Sequence, residues 1–142
     1  MTDKLLNITF KSHSEEGLEE YMTAQKVSHV LRMVFKNLIV YETLTQDGDT
    51  FTYKFESKFK NYTSTFKLGV PFVDRGIDGR DMKTTFNVEG DTLVATQESI
   101  NEGDMPCRSV RRVMEDGNLE ITLTSLPTDT VCKRIFVVHK KL

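Results

Sequence analysis

The clearest strand pattern in this chain lies at residues 47–72, which read DGDTFTYKFESKFKNYTSTFKLGVPF. Phe51, Tyr53 and Phe55 alternate with polar residues, and the same alternation returns at 65–68. A period of two is expected of a strand with one buried face. Two neighbouring strands that are each apolar on one side and polar on the other predict an antiparallel sheet with one face in water.

The chain after Ile39 continues as short strand-like runs separated by residues that favour turns. The turn signals fall at residues 47–49, 69, 78–79, 89–91, 101–104, 116–118 and 127–129. Short strands at such regular spacing predict a mainly β fold, either a sandwich or a barrel.

One helical insert is expected between the first strand and the second. A strand-like start at 5–11 is followed by Ser14, which could cap a helix whose early acidic residues favour its positive end. From Leu18 to Phe35 the apolar residues recur every three or four positions, which is the spacing of one helical face. The break around Gln25 predicts two short helices joined by a turn.

Length and composition predict one soluble domain that spans residues 1–142. A chain of this length can bury one core or wrap one cavity, and its hydrophobic fraction of 38% includes no tract that could cross a bilayer. The formal net charge of −2 gives no general reason to expect nucleic-acid binding. The start, MTDKLLNITF, has no basic segment followed by an apolar one, so we expect no secretory signal.

The chemistry-bearing residues show no catalytic or metal-binding pattern. His13, His29 and His139 lie far apart, and no run marks a nucleophile elbow, a phosphate loop or a metal site. Cys107 and Cys132 also lack metal-ligand spacing, and we expect reduced thiols in a cytosolic protein. We therefore predict no enzyme activity, no cofactor and no metal.

Several segments of the sequence match motifs of a known protein family. They are EEYMTAQKV (19–27) with Arg32 after it, ESKFKNYTSTFKLGVPF (56–72), DGRDMKTTF (78–86), GDTLV (90–94) and KRIF (133–136). In this order they resemble the cytoplasmic fatty-acid-binding proteins of the intracellular lipid-binding protein family, including invertebrate members. The resemblance covers essentially the whole chain. It implies a calycin-like, ten-stranded antiparallel up-and-down β-barrel (a β-clam) with a helix–turn–helix lid at about residues 15–37.

The resemblance also implies an internal site for the carboxylate of a fatty acid. In many relatives two arginines and a tyrosine hold this group, and a guanidinium suits it because it can form two parallel hydrogen bonds. Alignment on the turn EDGNL (115–119) places the first arginine at Arg112. Alignment on KRIF places the second at Arg134, and Phe136 stands at the usual tyrosine position. In this register Arg111 is expected to face solvent.

Two further groups of residues carry over by the same alignment. The cavity wall would consist of Phe51, Tyr53, Phe55, Ser57, Gln97, Arg108, Val110, Ile121 and Leu123. The portal would consist of Leu18, Tyr21, Met22, Val27, Leu31, Phe35, Phe59, Ile77, Asp78 and Arg80.

The implied function is non-enzymatic binding and transport of a long-chain fatty acid or a similar hydrophobic carboxylate. We expect a cytoplasmic monomer that could also enter the nucleus and that does not bind nucleic acid. Lys26, Arg32 and Lys36, together with His29, give the second helical segment a basic side that would favour transient contact with anionic membranes. Two alternatives share the fold: a carrier of retinoid or bile-acid-like ligands, and a membrane-associating structural lipid-binding protein.

Overall fold

A computed structural model describes residues 2–142. After a 3-10 turn at Thr2–Lys4, the elements are β1 (Ile8–Glu16), α1 (Leu18–Ala24), α2 (His29–Phe35), β2 (Val40–Asp47), β3 (Thr50–Ser57), β4 (Tyr62–Lys67), β5 (Phe72–Arg75), β6 (Asp81–Glu89), β7 (Thr92–Ser99), β8 (Cys107–Val113), β9 (Leu119–Ser125) and β10 (Thr130–Lys141). The strands form one antiparallel sheet in the order β4-β3-β2-β1-β10-β9-β8-β7-β6-β5.

This strand order curls the sheet into a nearly closed barrel. Apart from the β1–β10 pair, every hydrogen-bonded neighbour is also the next strand along the chain, which is an up-and-down topology. The predicted fold, ten antiparallel strands with two short helices after the first, is therefore confirmed.

The barrel wall has one break, between β4 and β5, which form the two ends of the sheet. Side chains cross this break where backbone hydrogen bonds do not. The Ser64 hydroxyl donates to Oδ1 of Asp74 over 2.6 Å, and the rings of Phe66 and Phe72 stack with centroids 6.0 Å apart. These side-chain contacts help to connect the two ends of the sheet.

The alternation in the 47–72 run places its aromatic residues inside the barrel. Phe51, Tyr53 and Phe55 are all buried, and Phe51 stacks on Phe66 with ring centroids 5.5 Å apart. Phe66 in turn stacks on Phe86 of β6 at 3.9 Å, so the core reaches across the β4–β5 break. Offset stacking of this kind adds about 0.5–1.5 kcal/mol per pair beyond the burial itself.

The helical lid begins later than the sequence predicted. Ser14 does not cap a helix, because β1 continues to Glu16 and still pairs with β10 there. The residue before α1 is Gly17, with a φ of 76°. A Cβ at this position would lie 2.6 Å from the carbonyl oxygen of Val131, so the close approach requires glycine.

The two helices are attached to the barrel to different extents. Gln25, at the end of α1, is buried and its Nε2 donates to Oγ of Ser125 (2.8 Å) and to the carbonyl of Pro106 (3.2 Å). In contrast, α2 has no buried residue, and Val30 on it is 71% exposed. Within residues 2–142, no helix combines the length and the apolar character needed to cross a bilayer.

Candidate functional site

A cavity of about 240 Å³ lies inside the barrel beneath the helices. Residues of α1, α2 and the strands β2–β10 line it, and it is partly open to solvent. Its walls are apolar for the most part, but several charged side chains reach it, among them Glu42, Asp74, Arg111 and Arg134. An apolar cavity with a few polar groups at defined points is the usual form of a small-molecule site.

The predicted cavity wall divides into four groups. The residues that line the cavity are Phe55, Ser57, Gln97, Ile121 and Leu123. Phe51 and Tyr53 point inward but pack in the buried core rather than against the open volume. Arg108 borders the cavity, yet its side chain is 44% exposed and its Nη2 lies 3.9 Å from Glu89, so the charged end faces outward. Val110 is not among the lining residues.

The prediction of which arginine on β8 faces inward is wrong. Arg111 is buried at 7% exposure, whereas the Arg112 side chain is 44% exposed and its Nη2 lies 3.3 Å from Glu120 on the outside. The register explains this result, because Arg111 lies opposite the buried Ile121 and Arg112 lies opposite Glu120. Val110, one residue before Arg111, faces outward for the same reason.

The prediction and the structure differ by one residue in the register of β8. Residues 114–118 form a turn in which the N–H of Met114 donates to the carbonyl of Asn118, and Val113 then pairs with Leu119. A shift of one residue in a strand moves every side chain to the other face.

Arg111 is paired inside the barrel with a residue that the sequence analysis did not select. Its Nε lies 3.1 Å from Oε1 of Glu42 and its Nη2 lies 3.5 Å from Oε2, while its Nη1 donates to Oγ of Ser109 over 3.0 Å. The Tyr53 hydroxyl donates to the same Oε1 over 2.7 Å. Burial would lower the pKa of Arg111, but the Glu42 carboxylate together with Tyr53 and Tyr62 raises it overall.

One sequence signal could have identified Glu42. Val40, Glu42 and Leu44 share one face of β2, and all three are buried. A carboxylate on the apolar side of a strand requires a partner, because an unpaired buried charge is very costly. The charged partner comes from β8, which is distant in sequence, so the pairing itself could not be read from this pattern.

Arg134 also faces the cavity, but it is much less completely paired. Its side chain is 16% exposed, and Nη2 lies 4.0 Å from Oε2 of Glu15. Within the described part of the chain its buried Nε has no hydrogen-bond partner. The guanidinium lies over the ring of Phe136, 5.0 Å from the centroid, and Phe136 is fully buried.

The two inward arginines stand on one row of the sheet. Ile121 on β9 pairs with Arg111 on one side and with Arg134 on the other. With neighbouring strands about 4.8 Å apart, the two arginine Cα atoms are separated by roughly 10 Å. Both side chains reach the cavity at the same level of the barrel.

Most of the predicted portal residues line the mouth of the cavity. They are Leu18, Tyr21, Met22, Val27, Phe35, Ile77, Asp78 and Arg80. Leu31 and Phe59 are not in contact with the cavity volume; Phe59 is 43% exposed and packs against Phe35. Nε of Arg80 donates to Oδ2 of Asp78 over 2.7 Å, which fixes the loop between β5 and β6.

The buried thiol at this end of the cavity is not activated. Burial raises the pKa of Cys107, and its Sγ lies 3.1 Å from Oε1 of Gln97. A thiol with a raised pKa is a poor nucleophile at neutral pH.

The basic side of α2 is smaller than the sequence predicted. Lys26, His29 and Lys36 are exposed. Arg32 instead donates from Nη1 to the carbonyl of Val27 over 2.8 Å, and its Nε lies 3.3 Å from Glu19. This arginine therefore ties α2 to α1.

Comparisons with known proteins agree with this architecture, although no family model matches the chain. The chain is 33% identical over 125 residues to retinol-binding protein 5 of Bos taurus, covering 87% of this chain and 88% of that protein. It is 30% identical over 119 residues to a fatty acid-binding protein of Tyrophagus putrescentiae, covering 84% and 88%. The solved structure of a Schistosoma mansoni fatty acid-binding protein in complex with arachidonic acid superposes with a TM-score of 0.88 at 26% identity, covering 98% of both chains.

A lidded antiparallel barrel around an apolar cavity, with such relatives, defines a class of lipid-binding carrier proteins. The chain belongs to the intracellular lipid-binding protein family, as the sequence motifs indicated.

Proposed function

We propose that this protein binds a long-chain fatty acid in its cavity and transports it without catalysing a reaction. Fatty-acid-binding and retinol-binding relatives support lipid binding and transport as the general role. We further propose that the carrier works as a cytoplasmic monomer, with no cofactor other than the ligand itself.

The observation that carries the proposal is the incompletely paired guanidinium of Arg134. Its Nε is buried without a hydrogen-bond partner in residues 2–142, and the nearest carboxylate oxygen lies 4.0 Å from Nη2. A buried donor without a partner destabilises the empty protein by about 1–3 kcal/mol, or more when it is charged. A ligand carboxylate would satisfy the group with two parallel hydrogen bonds.

The apolar wall would provide most of the binding free energy. Phe55, Ile121 and Leu123 line the cavity and would contact the acyl chain. Each buried methylene contributes about 0.8 kcal/mol, from which the lost freedom of the chain must be subtracted. Arg134 then sets the orientation of the ligand and the preference for an anion.

A second candidate is a carrier of a neutral lipid alcohol such as a retinoid. The Glu42–Arg111 pair favours it, because a hydroxyl can donate to the carboxylate and accept from the guanidinium without adding charge. The relative named retinol-binding protein 5 also supports this alternative. Bile-acid-like ligands and a structural role at membranes have no comparable observation in their favour.

Displacement binding with oleate, oleyl alcohol and retinol tests the proposal. Arg134→Ala should weaken oleate binding about tenfold or more, because a hydrogen bond to a charged group contributes about 1.5–3 kcal/mol and 1.4 kcal/mol corresponds to tenfold. Oleyl alcohol should bind the variant nearly as it binds the wild type. Arg112→Ala is the matched control, since Arg112 pairs with Glu120 on the outer surface.

Two results would contradict the proposal that the ligand is a fatty acid. Equal oleate affinity of the wild type and Arg134→Ala would remove the proposed anchor. Tighter binding of retinol or oleyl alcohol than of oleate would favour the neutral-lipid carrier.

We also propose transient contact with anionic membranes during ligand transfer. Lys26, His29 and Lys36 are exposed beside the portal, next to the exposed side chains of Val30 and Met33. Each basic residue near an anionic bilayer contributes about 1 kcal/mol, and the attraction is screened by salt. Transfer of a fluorescent fatty acid to vesicles should therefore accelerate with anionic lipid content; rates insensitive to both lipid charge and salt would contradict the contact.

A further inference from the structure

The Glu42–Arg111 ion pair crosses the interior of the barrel. Glu42 lies on β2 and Arg111 on β8, and three strands separate these two in the sheet. Both side chains line the cavity, and both are less than one tenth exposed. The pair therefore forms because β2 and β8 face each other across the cavity.

Glu42 holds Arg111 in the same way that a bound carboxylate would. The two oxygens of Glu42 face Nε and Nη2 of Arg111 at 3.1 and 3.5 Å, which is the two-point arrangement of an arginine with a carboxylate. The remaining nitrogen, Nη1, is bonded to Ser109. All three guanidinium nitrogens are thus engaged before a ligand binds.

We infer that Glu42 is a specificity-determining residue that withholds Arg111 from ligand carboxylates and thereby weakens the preference for acids over neutral lipids. The inference rests on the proposed binding of a fatty acid in this cavity. A ligand carboxylate near Arg111 would meet the like charge of Glu42 in a site of low dielectric, where repulsion is strong. A lipid alcohol meets no such repulsion.

The asymmetry between the two inward arginines supports this inference. Arg134 stands on the same row as Arg111 but has a carboxylate only at 4.0 Å and a buried Nε without a partner among residues 2–142. Arg134 is therefore the inward arginine that lacks a close carboxylate partner. Removal of the Glu42 charge would make Arg111 available as a second anchor.

The test compares oleate and oleyl alcohol binding across a charge series. Glu42→Gln keeps the side-chain volume and removes the charge, so oleate should bind about tenfold more tightly, equivalent to 1.4 kcal/mol, while oleyl alcohol changes little. Arg111→Gln leaves Glu42 unbalanced and should weaken oleate. The double variant Glu42→Gln/Arg111→Gln restores neutrality and should bind oleate as the wild type does.

A surface pair provides the matched control. Glu120→Gln removes the same charge opposite Arg112 on the outer face of the barrel, so the ratio of oleate to oleyl alcohol affinity should not change. If Glu42→Gln does not fold, the comparison of Arg111→Gln with the double variant still tests the inference, because the double variant should bind oleate more tightly.

Two outcomes would overturn the inference: an unchanged affinity ratio in Glu42→Gln, or a gain for oleate in Glu42→Gln that the double variant retains in full. Failure of the proposed function is distinguishable from either. It would appear as an Arg134→Ala variant with wild-type oleate affinity, whatever the relative oleate affinities of the Glu42 and Arg111 variants.

Discussion

The ring of Phe35 on α2 lies edge-on against the ring of Phe59 in the turn between β3 and β4, with centroids 5.7 Å apart. Phe35 lines the cavity and Phe59 is partly exposed, so the contact joins the lid to the barrel rim. An edge-to-face pair contributes about 0.5–1.5 kcal/mol. Such a contact is weak enough to break and re-form while a ligand passes.

We therefore expect Phe59→Ala to accelerate both uptake and release of a fluorescent fatty acid about 2- to 10-fold in stopped-flow measurements, because 0.5–1.5 kcal/mol is lost from the closed mouth. Affinity should change little, since both rates rise together. Leu68→Ala is a suitable control, because Leu68 is similarly exposed but follows β4 at the opposite end of that strand. An uptake rate equal to that of the wild type would exclude a gating role for Phe59.

Phe136 offers a test of the site around Arg134. Phe136→Tyr would place a hydroxyl in a fully buried position beside the guanidinium. Without ligand, the unfolding free energy should fall by about 1–3 kcal/mol, because a polar hydroxyl is buried in place of an apolar ring edge. Oleate should then stabilise the variant more than it stabilises the wild type, as measured by denaturant unfolding with and without ligand.

Phe51→Tyr is the control for this experiment, because Phe51 is buried in the core away from the cavity volume. It should destabilise the protein without an added response to oleate. An equal oleate response in the two tyrosine variants would show that Phe136 is not part of the head-group site.

Asp74 predicts a pH dependence of stability. Burial raises its pKa above the ordinary 3.8, although the hydrogen bond from Ser64 partly offsets the shift. The folded protein then holds this proton more tightly than the unfolded chain, so the contribution of Asp74 to stability declines as the pH rises from about 3.8 through the folded-state pKa.

Asp74→Asn should accordingly become more stable relative to the wild type as the pH is raised through this window, as followed by thermal unfolding at several pH values. Asp81 is a contrasting control, because the hydrogen bond from Arg75 lowers the pKa of its carboxyl. Asp81→Asn should not gain relative stability as the pH rises. A stability difference between Asp74→Asn and the wild type that does not vary with pH would contradict the role of burial.

The hydrogen bonds of Gln25 are expected to determine how stably α1 is attached to the barrel. Its Nε2 bonds to Ser125 and Pro106 are the polar contacts through which the end of α1 is fixed to the barrel. Gln25→Ala should increase amide hydrogen exchange in α1, because these bonds and the buried packing are lost. Thr23→Ala, which removes only an exposed hydrogen bond to Glu19, should change exchange much less, and equal effects of the two substitutions would contradict the tether.

The strand pattern predicted the mainly β fold and its buried face because alternation is a local property; the choice of a barrel came from the family resemblance. Phe51, Tyr53 and Phe55 are buried as their period of two required. The start of the lid was less predictable, because Ser14 has the chemistry of a helix cap but lies in β1, whose pairing with β10 continues to Glu16. Tertiary pairing overrode a local preference there.

The head-group region shows where sequence reasoning reaches its limit. The choice between Arg111 and Arg112 depends on the turn at 114–118, and two adjacent arginines offer no difference in composition that could decide it. The partner of Arg111 lies on β2, so its identity follows from closure of the barrel and not from any motif.

We expect the barrel to widen most easily at the break between β4 and β5. β4 and β5 are not paired by backbone hydrogen bonds, so their separation would disrupt the Ser64–Asp74 bond and the stacking of Phe66 on Phe72 and Phe86. The resistance to widening along this line is therefore of the order of a few kcal/mol. We therefore expect the barrel to accommodate ligands of different width by opening at this break, while the paired strands keep their positions.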